Sequence, residues 1–116
     1  MDSILNTVKK ACNIAQDDTS FDDVIIMYIN STFLNLSQIG LDSATNFAIT
    51  GDTETWSDLF PDVDLISIQT YISLKVRMLF DPPASSSMAS AIDKTISELE
   101  WRINSRLDYE KEGEGE

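Results

Sequence analysis

The sequence predicts an all-α fold, and three observations carry that expectation. Apolar residues recur at spacings of three and four along four separate stretches, the period of one helical face. Polar turn formers, a glycine or a proline pair punctuate the gaps between those stretches. The longest gap, Asp42 to Trp56, holds no helical periodicity and reads as a long connecting loop. The architecture expected is four to five helices, with a long loop between the second and third main helices. The two long C-terminal helices lie antiparallel around a proline turn.

The first stretch, Asp2 to Ala15, carries Leu5, Val8, Cys12 and Ala15 on one face. Gln16-Asp17-Asp18-Thr19-Ser20 ends it, and Ser20 stands three residues before Asp23, a weak capping box. The second helix starts near Phe21 or Asp22. It carries Ile26, Ile29, Phe33 and Leu36 on one side and Met27 and Leu34 roughly opposite, and Gly40 is its stop. Asp42 to Trp56 reads as a connecting loop with a turn at Gly51-Asp52, and Phe47-Ala48-Ile49 offers a short strand.

After Pro61, Asp62 can cap a third main helix with the stripe Leu65, Ile68, Ile72, Val76 and Leu79, ended by Pro82-Pro83. The serines 85–87 lead into the last helix, striped by Ile92, Ile96, Leu99, Ile103 and Leu107, with Glu98 placed to pair with Arg102. Residues 108–116 hold five acids, one lysine and two glycines, the composition of a flexible acidic tail. One helical domain, 1–107, followed by that tail accounts for 116 residues, enough for a single core.

Apolar residues make up 42% and charged residues 24% of the chain, the balance of a soluble, compact protein. No apolar run approaches the roughly 20 residues that span a bilayer, and the first lysines follow the first apolar residues, the wrong order for a secretory signal. Twenty acids against eight bases leave a net charge of −12, which repels nucleic acid and anionic membranes. A protein that surrounds DNA without gripping it remains compatible with that charge.

Chemistry is excluded more firmly. One cysteine and no histidine remove the usual zinc frameworks and the Ser-His and Cys-His nucleophile systems, and Cys12 reads as a small buried hydrophobe. The four glycines are too dispersed for a phosphate cradle. The pairs Asp17-Asp18, Asp22-Asp23, Asp62 with Asp64 and Glu98 with Glu100 could hold a cation or do acid–base work. Their positions at helix starts and on a solvated side favour capping instead. No enzyme and no cofactor or metal is expected. Lys75, Arg77, Arg102 and Arg106 form a sparse basic set suited to pairing with acids inside the fold or across subunits. Trp101 falls off the Ile96-Leu99-Ile103 stripe and reads either as a contact anchor or as additional core.

Two blocks carry a resemblance. Trp56-Ser-Asp and Pro61-Asp62 precede LKVRMLFDPP, with Tyr71 just ahead of it, and a serine stretch then leads to ELEWRIN, ending at Asn104. In that order and spacing they resemble the head–tail connector (head-completion adaptor) family of long-tailed bacteriophages. The N-terminal half is similar in helical layout and polarity alone.

The resemblance implies a helical structural subunit of the virion, at the head–tail junction, made in the host bacterial cytoplasm. It implies a homo-oligomeric ring of about twelve copies with heterologous contacts. That ring docks on the portal protein, extends the channel for double-stranded DNA without specific binding, and receives the next connector protein. Partner-binding residues expected on this reading are Trp101, Arg102, Arg106 and Tyr109 toward the portal. Asp52, Glu54 and Trp56, in the loop, face the channel or the next ring. A rival reading is a small acidic regulator or nucleic-acid mimic for a basic partner. The acids are spread over helix starts, loop and tail, where such a mimic would gather them on one surface.

Overall fold

The computed structural model describes residues 3–41, 44, 47–59 and 65–114, the side chains of 59, 65 and 106–114 excepted. Among the described residues there are five helices and no strand: α1 (Ile4–Ala11), α2 (Asp22–Gln38), α3 (Trp56–Leu59), α4 (Leu65–Phe80) and α5 (Ser86–Glu114). The fold is all-α, as the periodicity predicts.

Local chemistry sets the ends of the first two helices. The Ser3 side chain accepts a hydrogen bond from the Asn6 amide at the start of α1. Asn13, at φ 61°, then reverses the chain, and the Ile14 amide donates back to the Lys9 carbonyl. At the end of α2 the same device recurs with Gly40 at φ 112°: Leu41 donates to Leu36 and Gly40 to Ser37. Both helices thereby satisfy carbonyls that would otherwise be orphaned. The capping box expected at Ser20 does not form. The Ser20 amide donates to the Asp18 carboxylate, Phe21 takes the N-cap position, and no side chain caps α2. The caps expected at Pro61 and Asp62 lie outside the described residues.

α4 is the centre of the molecule and packs against α1, α2 and α5. Its Ile68, Tyr71, Ile72 and Val76 are buried against Ile4, Leu5 and Val8 of α1 and Ile25, Ile29, Phe33 and Leu36 of α2. α5 contributes Ile96 and Ile103, with Ile92 and Leu99 partly buried. The rest of this long helix is largely exposed as far as residue 105. Its backbone stays helical to Glu114, beyond Leu107, where the apolar stripe ends. Glutamate, lysine and arginine are good helix formers, which favours that continuation of the backbone ladder.

Three side chains sit otherwise than the sequence pattern suggests. Ile25, not Ile26, is the fully buried member of the α2 face, and Leu79, placed on the α4 stripe, is exposed. Glu100, assigned to a solvated side, is half-buried and faces Tyr71. The segment 47–50 forms no strand. It is held in place by Asn30, whose amide oxygen accepts from the Ile49 N–H at 2.9 Å while its Nδ2 donates to the Ile49 carbonyl at 3.2 Å. One side chain thus replaces a neighbouring strand.

Candidate functional site

The loop group of expected contact residues divides in two. Asp52 is exposed at the turn, but Glu54 is turned inward: its carboxylate accepts from the Thr50 amide at 2.8 Å and lies near the Thr50 hydroxyl at 3.2 Å. Partial burial pushes the Glu54 pKa up, but the hydrogen bonds from Thr50 and Gly51 outweigh it and hold the carboxyl below its usual value. The Glu54 carbonyl also accepts from the Ile4 amide, tying the loop to α1.

Trp56 is no surface residue. It is 3% exposed, and its indole Nε1 donates to Thr7 Oγ1 at 3.0 Å. The hydroxyl on α1 gives the buried indole the partner it needs, so the ring packs inward and holds α3 against α1.

On α5, Trp101 is 72% exposed and Arg102 is exposed beside it. Together with Lys94, Ser97 and Glu98 they line a shallow groove along the outer side of the helix. This side points away from Ile96 and Ile103, which face α4. Arg106 and Tyr109 lie on the same helix, and their side chains fall outside the described residues. The fold therefore brings Trp101 and Arg102 into one patch and removes Trp56 from the surface.

A second apolar face lies on α2. Val24, Met27, Ser31 and Leu34 recur at three- and four-residue spacing on the side opposite the core. Met27 is 57% and Leu34 is 61% exposed. A shallow groove runs between these residues and Phe47 and Ala48 of the loop, with Asp23 and Asn30 at its edge. Phe47 is set there by its edge-on contact with Phe33, 5.8 Å between centroids, and by the Asn30 clamp on Ile49. The sequence marks Met27 and Leu34 as an apolar side opposite the core face, but not the loop residues that complete the groove.

The polar interior is structural. Among the described residues no group of three or more metal-ligating side chains comes together. Burial raises the Cys12 thiol pKa, Arg77 pulls it down and Asp81 raises it, with a net upward shift that disfavours the nucleophilic thiolate. The Tyr71 hydroxyl is likewise pushed up, by burial first and then by the Glu100 carboxylate opposite it. The acids suspected of cation binding have other work: Asp22 pairs with Lys9 and Asp18 closes a turn on Ser20. Asp62 and Asp64 lie outside the described residues. No described helix is long and apolar enough to cross a membrane.

What the surface offers is therefore contact area: exposed large apolar side chains on α2, α4 and α5. Such side chains, gathered in grooves, mark surfaces that another protein covers. No curated protein and no solved structure matches the chain. The family model for phage connector proteins matches residues 4–110, and the chain belongs to that family.

Proposed function

We propose that this phage connector protein is a ring-forming adaptor. It docks on the portal vertex, extends the DNA channel and presents its far side to the next connector protein, joining head to tail without bond chemistry. The observation that carries the reading is the pairing of the family match over residues 4–110 with large apolar side chains left uncovered on α2 and α5. An isolated subunit exposes them at a cost that assembly recovers.

The strong negative charge suits a conduit that must let a polyanion slide past. The portal contact falls to the end of α5 beyond Trp101, where Arg106 and Tyr109 lie. Asp52 at the loop turn faces the channel or the next ring.

The test is head completion in vitro. DNA-filled heads lacking this protein are mixed with it and then with tails, and infectious particles are counted. Joining that depends on the protein supports the reading. A protein that neither binds portal-bearing heads nor restores joining sinks it. Deleting residues 108–116 is expected to weaken head binding more than 10-fold, and unchanged binding removes the portal contact from the tail.

A further inference from the structure

We infer that the Trp101 patch of one subunit inserts into the α2–loop groove of a second copy of this chain. This inference rests on the ring reading above and assigns the two surfaces that make its subunit contact.

The two patches differ in shape and charge. On α5, Trp101 projects from the outer side of the helix, flanked by Lys94 and Arg102 with Glu98 between them. It is a local excess of base on a chain of net charge −12. On α2, the groove has an apolar floor of Ile26, Met27, Leu34 and Phe47, its rim carries Asp23, and α2 contains no lysine or arginine. A large exposed aromatic ring matches an apolar groove, and the flanking bases match the rim acid.

Placement supports a contact that propagates. Trp101 lies outside the core on α5, and Met27 and Leu34 lie outside it on α2. Both patches stay exposed on the single subunit. Each copy thus offers a knob on α5 and a groove on α2. Such a heterologous pair builds a ring if the rotation closes.

Neither Trp101 nor Leu34 supports the core, so both can be changed in the folded, full-length protein. Trp101→Ala keeps the groove and loses the knob. Leu34→Asp keeps the knob and loses the groove, and Met27→Glu serves as a second groove variant. Circular dichroism and thermal melts establish that each remains folded. Sedimentation velocity over a concentration series reads association.

Wild type is expected to form higher species, and each variant is expected to associate at least 10-fold more weakly. The diagnostic arm mixes Trp101→Ala with Leu34→Asp in equal amounts. One intact knob then meets one intact groove, and association stops at a one-to-one dimer. A mixture that stays monomeric, variants that associate as wild type does, or a wild type that is monomeric throughout overturns the assignment. So do groove variants that still self-associate but lose head binding, since the groove then takes the portal. Wild-type head completion is scored in parallel. Normal completion with the assignment overturned leaves the connector reading standing, whereas failed completion removes that reading by itself.

Discussion

The Lys9 ammonium lies 2.8 Å from an Asp22 carboxylate oxygen, and this pair ties the end of α1 to the start of α2. The lysine side chain is almost fully enclosed, and its Nζ also donates to the Gln16 carbonyl at 3.0 Å, so the turn between the helices wraps around one charge. The aspartate retains access to water on one side.

That asymmetry predicts unequal mutants. Asp22→Asn leaves the buried ammonium with neutral partners and no compensating charge, and should destabilise by about 3 kcal/mol, the range for breaking a buried pair. Lys9→Met fills the same space and leaves an aspartate that can rehydrate, so its cost should be about 1 kcal/mol. Urea unfolding followed by circular dichroism checks the order, and equal costs for the two would contradict it.

The two tryptophans should behave oppositely. Trp56→Ala removes a buried ring and its bond to Thr7 and should cost about 3–5 kcal/mol. Trp101→Ala should change the stability of the monomer by no more than about 0.5 kcal/mol. In the single-tryptophan proteins, Trp56 should emit at shorter wavelength than Trp101 and resist acrylamide quenching.

Asn30 should control the loop. Asn30→Ala loses both bonds to Ile49 and should cost about 1–3 kcal/mol, since the Ile49 amide is left without its acceptor. Asn30→Asp keeps the acceptor but sets a negative charge against the Ile49 carbonyl, so it should not restore stability. Amide hydrogen exchange at Ile49 reads the effect directly, and unchanged protection in the alanine variant would show that the clamp is dispensable.

Alkaline pH should weaken the fold. The Cys12 and Tyr71 pKa values are both raised by burial, so the folded chain keeps protons that the unfolded chain sheds. Stability is therefore full below the unfolded thiol value of about 8.5 and falls as pH rises, first with the thiol and then, above about 10, with the phenol. Tyr71→Phe should flatten the upper part of that decline at little cost near pH 7, because the buried hydroxyl makes no well-formed hydrogen bond. Denaturation midpoints from pH 7 to 11 test this, and an undiminished slope in Tyr71→Phe would sink it.

Much of this architecture is legible in residue spacing. The four main helices, the stops at Gly40 and Pro82-Pro83, and the blocks LKVRMLFDPP and ELEWRIN follow from local chemistry and order, which is why helix count and family are readable from the chain alone. The absence of histidine and the single cysteine likewise narrow the chemistry from composition alone.

Tertiary structure decided which sides face inward. Helical periodicity sets the angle between Ile29 and Leu34 on α2, but both sides are apolar, and only the position of α4 makes one core and the other surface. The two tryptophans show the same limit: Thr7, 49 residues away in sequence, draws Trp56 inward, and among the described residues no comparable partner covers Trp101. The long-range partners Lys9 and Asp22, and Asn30 and Ile49, come together for the same reason. Spacing within one helix fixes relative direction, whereas burial depends on what the rest of the chain brings alongside.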